Sequence, residues 1–289
     1  MAKRRLHLLI IDPQNDFCDL PASYLPCNPL ATEKFAPALP VPGAHADMLR
    51  VSDLITQGCS GLSDITVTLD THHRLDIAHP SFWTRGDGSA VAPFTVVSAG
   101  QVRAGEFVPR LPNSQKRALS YLEQLEAAGR YAHMIWPLHC EIGSWGHNVH
   151  ADLQAACRSW EEQALRNVSY VNKGMNPWTE HFSAILAEVP DPLDPSTQMN
   201  QVLMESLRQA DQVFIAGEAG SHCVKSTTEH IVAQIDQEDS SKMVLVEDGM
   251  SAVQGFEAQQ NAFMESMRAK GLQVIPSAQV LNELRANAR

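Results

Sequence analysis

A run of branched apolar residues closed by an aspartate, Leu6 to Ile11 followed by Asp12, restricts this chain more than any other feature. A run of that kind suits a central strand of a parallel sheet, covered on both faces. Ile65 to Leu69 reads as a second strand, and it too ends in aspartate, at Asp70. Parallel strands need long, usually helical crossovers, and the chain supplies them. Helical spacing recurs at 44–57, 114–129, 149–165, 197–209, 224–234, 257–270 and 278–284, with strand-like runs at 131–136, 168–171, 213–215, 243–246 and 272–275. The expectation is an α/β fold, three layers α-β-α around a central, mostly parallel sheet of Rossmann type. Residues 19–43 read as a surface excursion, and 80–112 and 176–196 as loops. No repeat or linker divides the chain, so 1–289 is expected to form a single domain with an insertion at about 80–130.

Bulk properties narrow the classes. Apolar residues make up 44% and charged ones 19%, as in a globular protein rather than a disordered one. A net charge of −11 disfavours a nucleic-acid or anionic-membrane partner. The basic start, Met1 to Arg5, is followed by an apolar run that stops at Asp12-Pro13, too short for a secretory signal, and no run has transmembrane length. The six cysteines, at 18, 27, 59, 140, 157 and 223, are scattered without a CxxC pair, which points to a reducing, cytoplasmic setting.

Functional groups of open α/β sheets gather at the carboxyl ends of strands. Asp12, Lys173 and Cys223 each fall at or just past such an end. Cys223 follows a turn of small residues and opens a helix, where the helix dipole and unpaired N–H groups favour a thiolate. If the three strands are neighbours, a carboxylate could take the thiol proton and a lysine could fix that carboxylate. The alternative is an ordinary Asp–Lys pair beside an inert cysteine. A second set is Asp70-x-His72 with His79 and His139, a mixed N/O group suited to Zn²⁺, Fe²⁺ or Mn²⁺. The alternative there is a solvated polar loop.

Five stretches, in order, carry a resemblance: LIIDPQNDFC ending at Cys18, LDTHHRLDIAHPSF around Asp70, WPLHCEIG around His139, NKG at 172–174 and AGEAGSHCVKST around Cys223. Together they resemble the nicotinamidase/pyrazinamidase branch of the isochorismatase-like cysteine hydrolases. The resemblance implies the isochorismatase-like version of the expected fold. It makes Asp12 the general base, Lys173 its cationic partner and Cys223 the nucleophile. It places one divalent metal ion, zinc foremost with iron or manganese as alternatives, on Asp70, His72 and His139. His79 would be an optional fourth ligand, its spacing from His72 one residue off the four-ligand variant. A cis peptide would fall at Glu218-Ala219, the N–H groups of Ala219 and Cys223 would form an oxyanion hole, and Phe17 and Trp136 would sandwich a pyridine ring. Met175, Asn176 and Trp178 are candidates for shaping specificity.

The implied activity is metal-dependent hydrolysis of nicotinamide, or a close heteroaromatic carboxamide such as pyrazinamide, to the acid and ammonia through a thioester. Its setting would be NAD salvage. The implied partner is a small-molecule amide. Family members commonly associate, so a homo-oligomer is open, with the insertion as one surface for it. Competing readings are a superfamily amidase for a ureido, carbamoyl or maleamate-type substrate, and a non-catalytic, metal-binding relative.

Overall fold

The computed structural model describes residues 3–288; Met1 and Ala2 of the basic start, and Arg289, lie outside the described residues, as do the side chains of Gln237 and Glu238. In chain order the elements are β1 (Leu6–Ile11), α1 (Ala44–Gly58), β2 (Asp64–Asp70), β3 (Trp83–Arg85), β4 (Thr95–Val96), α2 (Ala99–Arg103), β5 (Phe107–Pro109), α3 (Gln115–Ala128), β6 (Met134–Ile135), α4 (Ala151–Ala164) and β7 (Ser169–Lys173). They continue with α5 (Gln201–Arg208), β8 (Gln212–Gly217), α6 (Cys223–Val232), β9 (Met243–Val246), α7 (Glu257–Ala269), β10 (Gln273–Ile275) and α8 (Ser277–Asn287).

Six strands form one sheet in the order β10-β9-β8-β1-β2-β7, every pairing parallel. The apolar strands sit where their composition requires. All residues of β1 and β8 are buried at the middle of the sheet, whereas the edge strand β7 exposes most of its length and buries only Lys173. His7, the polar member of β1, places Nε2 2.9 Å from Thr66 Oγ1, and burial lowers its pKa to about 4, so it is carried as a neutral ring. The helices α1, α4 and α8 pack together. The chain runs from β1 outward to β2 and β7, then returns to β8 on the other side of β1 and runs outward to β9 and β10. Right-handed crossovers that reverse direction put their helices on opposite faces, which makes the three layers. The reversal opens a crevice between the carboxyl ends of β1 and β8.

The segment after β2 departs from the loop expected at 80–112. It contains β3 and β5, paired antiparallel with Trp83 opposite Pro109, and the short helix α2, capped by Ser98 and Gln101 in a reciprocal capping box. These pieces and α3 share an apolar cluster separate from the main core, with Phe82, Trp83, Val102, Phe107, Leu122 and Leu125 among its members. Elements of two to five residues are too short to show a hydrophobic period, so packing reveals what patterning could not. The strand expected at 131–136 shrinks to Met134–Ile135. The helix expected at 197–209 begins only at Gln201, after a 3-10 turn at Pro195–Thr197. Among the described residues no helix is long and apolar enough to cross a membrane.

Candidate active site

The sheet order sets Lys173, Asp70 and Asp12 on neighbouring strand ends, with the turn after β8 beside them. Asp70 and Lys173 are register partners, as are Ile11 and Gly217. Asp12 turns back with φ +43, in the left-handed region where aspartate is tolerated better than most residues. Thr68 holds it there: the Asp12 N–H donates to the Thr68 carbonyl at 3.2 Å, and the Thr68 hydroxyl donates to Asp12 Oδ1 at 2.6 Å. Gln14 ties the same loop to β2, accepting from Asp70 N–H at 2.7 Å and donating to the Asp70 carbonyl at 2.8 Å. Gly217 has φ +119, and a Cβ there would lie 2.0 Å from the Ile11 carbonyl oxygen. Only glycine lets the two central strands end this close together.

Lys173 is the hub. Its Nζ is 2.9 Å from Asp12 Oδ2, 2.8 Å from Asp70 Oδ1, 3.0 Å from the His181 carbonyl and 3.6 Å from Cys223 Sγ. Burial works against its charge, but the two carboxylates outweigh burial and hold the ammonium pKa well above its ordinary value. Burial raises the Asp12 pKa, against the pull of Lys173. Cys223 opens α6, as expected, yet the thiolate expectation fails. Burial raises its pKa well above the usual thiol value, Lys173 offsets this only in part, and the hydrogen bond to Asp12 adds to the rise. The buried cysteine therefore rests as a thiol facing a carboxylate. A helix terminus is worth at most about 2 kcal/mol to a charge, too little to overcome full desolvation.

The peptide between Glu218 and Ala219 is cis. Among the described residues, the N–H groups of Ala219 and Cys223 meet no acceptor, although their neighbours are satisfied: Glu218 N–H donates to Ile11, Gly220 to Ser251, and His222 and Val224 to the Ala219 carbonyl. Two free donors thus belong to residues that line one cavity.

The imidazole group lies alongside. His72, His79 and His139 are all buried, each with a ligand-capable atom within 4.8 Å of the others. The structure thus brings in His79 despite its spacing. Each ring has its Nδ1 occupied: His72 by Asp76 Oδ2 at 3.1 Å, His79 by the His73 carbonyl at 3.3 Å, His139 by the Pro137 carbonyl at 2.8 Å. Asp70 Oδ2 lies 3.1 Å from His72 Nε2 and 3.3 Å from His139 Nε2. Donors around a tetrahedral ion with bonds of roughly 2.0–2.1 Å stand about 3.3 Å apart, so these spacings fit one. The electrostatics agree. Burial opposes a charge on His72, but Asp70 and Asp76 override it and raise its pKa well above normal, so the carboxylates call for a cation here. Burial, reinforced by His72 and His139, lowers the His79 pKa to about 2, leaving a neutral ring with a lone pair to give.

A small cavity of about 30 Å³ joins the two groups. Phe17, Leu39, Trp136, Phe182 and Val253 form its apolar walls, and Cys223, Ala219, His222, Asp70, His139 and Glu180 line the rest. Phe17 and Trp136 thus both line the cavity. Met175, Asn176 and Trp178 do not line it: Met175 is half exposed, the Asn176 amide donates to Asp194, and Trp178 packs between Phe82 and Arg117. Sequence reasoning missed Thr68, Gln14, Asp76, Glu180 and Phe182. The last two lie in the stretch read as a loop at 176–196. Their one signal is that a Glu-His-Phe triplet, followed by small and apolar residues, is unusual in a solvated loop.

No protein-family model matches the chain, and no curated protein matches it. Solved structures do match, over nearly all of it. A yeast nicotinamidase bound to nicotinaldehyde superposes with a TM-score of 0.62 at 18% identity, covering 94% of this chain and 99% of its own. An Acinetobacter baumanii nicotinamidase/pyrazinamidase gives 0.60 at 18%, covering 97% and 100%. A Pyrococcus horikoshii pyrazinamidase in complex with zinc gives 0.52 at 16%, covering 94% and 99%. At such identities the likeness is one of fold, and the fold of this chain is the isochorismatase-like α/β fold.

Proposed function

We propose that this protein is a metal-dependent cysteine amidohydrolase that converts nicotinamide, or a close heteroaromatic carboxamide, to the carboxylic acid and ammonia. The observation that carries the reading is the meeting of Asp12, Lys173 and Cys223 at the switch point, beside two acceptor-free N–H groups, with Cys223 lining one cavity with Asp70 and His139. The folds matched belong to nicotinamidases and pyrazinamidases, one of them with zinc.

Asp12 takes the Cys223 proton as Sγ bonds to the carboxamide carbon, which avoids a free thiolate in a site that disfavours it. Lys173 keeps the carboxylate aimed at the sulfur. The oxygen of the tetrahedral adduct accepts from the N–H groups of Ala219 and Cys223, donors that need no reorganisation. Asp12 returns its proton to the nitrogen as the C–N bond breaks, and ammonia leaves. Water, deprotonated by Asp12, attacks the thioester, the C–S bond breaks, and the thiol is restored from Asp12. Asp70, His72, His79 and His139 would hold a divalent ion, which supplies a Lewis-acidic point for a ring nitrogen. Phe17 and Trp136 press on the ring and exclude water.

Ammonia release from nicotinamide, pyrazinamide and a linear ureido amide tests this, with Cys223→Ala as control. Turnover of the two ring amides, falling by at least about 10³-fold in Cys223→Ala with the fold intact, is expected. Preference for the ureido amide, or activity retained without the thiol, overturns it.

A further inference from the structure

The turn that leads to the nucleophile holds a buried acid that the chemistry above does not use. Glu218 is fully buried between Gly217 and Ala219, and it does not line the cavity. Its Oε2 accepts from the Ser251 N–H at 3.2 Å, while its Oε1, also buried, meets no N–H or hydroxyl donor among the described residues. The carboxyl is hydrogen-bonded instead to the carboxyl of Asp47 in α1, a contact that requires one of the two acids to keep its proton. Asp47 is engaged on its other sides: Oδ1 accepts from Arg50 at 2.8 Å, and Oδ2 accepts from the Ser251 hydroxyl at 2.5 Å.

These contacts close a frame around the turn. Arg50 also donates to the Asp248 carbonyl at 3.2 Å. The loop after β9 takes the Gly217 N–H on the Gly249 carbonyl and the Gly220 N–H on the Ser251 carbonyl, both at 2.8 Å. The peptide plane that bears the free Ala219 N–H begins at Glu218. On that side it is held by the Glu218 N–H, which donates to the Ile11 carbonyl at 2.8 Å, and by the Glu218 carboxyl. On the other side the Ala219 carbonyl accepts from His222 and Val224. Burial, and then the Asp47 charge, raise the Glu218 pKa well above normal; at Asp47 the Ser251 hydroxyl, Glu218 and Arg50 offset part of the rise that burial causes. The shared proton therefore rests on Glu218 and points at Asp47, in a charge-assisted bond of the stronger kind.

We propose that Glu218 is a positioning residue: through its hydrogen bonds to Asp47 and to the Ser251 N–H, it holds the turn so that the Ala219 N–H is presented to the oxygen of the tetrahedral adduct. This rests on the function proposed above, in which that N–H is one of the adduct's two donors. Such donors act by being aimed in advance at the place where charge develops, and a misplacement of about 1 Å can cost about 10²-fold in rate. Loosening the frame therefore slows attack while leaving the binding of the planar amide largely alone.

The test compares kcat and KM for nicotinamide in the metal-loaded wild type, Glu218→Gln, Glu218→Leu and Asp47→Ala, each assayed well below its melting temperature. Gln keeps a donor for Asp47 and an acceptor for the Ser251 N–H; Leu keeps neither. Inhibition by the aldehyde analogue of nicotinamide and by nicotinate is measured on the same samples. With the aldehyde, the Sγ–C bond forms, the carbonyl π pair moves onto oxygen and the thiol proton passes to Asp12, so its affinity reports the two N–H donors; nicotinate forms no such adduct. The expected result for Glu218→Leu is a fall in kcat of about 10–100-fold with little change in KM. Aldehyde affinity should weaken in step while nicotinate affinity holds, and Glu218→Gln should keep most of the wild-type rate. Asp47→Ala, which breaks the same contact from α1, should show a smaller loss of the same pattern, and it decides the matter if Glu218→Leu does not fold. An unchanged kcat, a loss carried by KM, equal weakening of aldehyde and acid, or no rescue by Gln overturns the assignment. A wild type that does not hydrolyse nicotinamide defeats the proposed function and this inference together; one that does, with the variants showing any of those four results, defeats this inference alone.

Discussion

Replacing Lys173 by methionine isolates the electrostatic centre. Methionine keeps the aliphatic stem and removes the charge, so the cavity left behind is small. Two carboxylates, Asp12 at 2.9 Å and Asp70 at 2.8 Å, lose a cation that none of the three side chains shares with solvent, their exposures being 0–5%. At an effective dielectric of about 20 each contact is worth roughly 5–6 kcal/mol of gross attraction, most of it offsetting desolvation. Removing one partner of a buried pair costs about 3–5 kcal/mol, and no solvent discount applies here. Lys173→Met should lose that much at pH 8. Adding Asp12→Asn removes one stranded charge, so the double variant should recover about 1–3 kcal/mol relative to additivity. The sign with pH follows from Asp12. Its folded pKa lies above the unfolded value of 3.8, so its ionisation destabilises the fold as pH rises. Without Lys173 the gap widens, and the deficit of Lys173→Met should shrink as pH falls from 8 toward 5. Urea unfolding of the four proteins of the cycle, followed by circular dichroism in chelator so that bound metal does not shift the equilibrium, measures all of this. Additive losses, or a Lys173→Met variant within about 1 kcal/mol of the wild type, would refute the picture of one cation holding two acids.

Three further outcomes follow from individual residues. Asp76→Ala frees the His72 ring without touching an ion directly; it should weaken zinc binding about 10–100-fold, read by competition with a chromophoric chelator. Cys27 is the exposed thiol among the six, and Cys223 is buried and protonated. A bulky disulfide reagent at pH 7.5 should therefore modify Cys27 first, and Cys27→Ser should abolish the fast phase. Glu218, fully buried beside Asp47, has a pKa raised well above 4.5, first by burial and then by that neighbour. A raised acid binds its proton more tightly folded than unfolded, so its contribution is present below about pH 4.5 and lost as pH rises toward the folded pKa. Glu218→Gln should flatten that decline, seen as a smaller drop in melting temperature between pH 5 and 8.

Much of this was legible in the sequence, and for physical reasons. Strand-end positions follow from apolar runs, so Asp12, Asp70, Lys173 and Cys223 could be placed at one edge before their distances were known. The parallel order, however, is a long-range property. Nothing local to Lys173 says that its strand pairs with that of Asp70 rather than lying at the far side of the sheet. The charge state of Cys223 is not legible locally for a related reason. Helix position is local and favours a thiolate, whereas desolvation depends on Phe182, Trp136 and Val253 arriving from distant segments, and desolvation is the larger effect. Spacing alone speaks against His79, yet the turn at Asp76, whose side chain accepts from Ala78 N–H at 3.0 Å, folds the stretch back and returns the ring to His139.

Asp70 makes the two halves of the site one object. Its Oδ1 faces Lys173, and its Oδ2 faces His72 and His139. The Asp70 pKa is raised by burial but driven well below normal by His72 and Lys173 together, so it stays charged and polarises both sides. Asp12, Asp70 and Lys173 alone carry one negative charge more than positive, fully out of solvent. That imbalance is costly unless the imidazole side supplies a compensating cation. The fold's switch point therefore brings Asp12, Lys173 and Cys223 together and also imposes a charge condition that a cation among His72, His79 and His139 would meet. In the proposed function, ion binding on the imidazole side and attack by Cys223 are thus coupled through a single carboxylate.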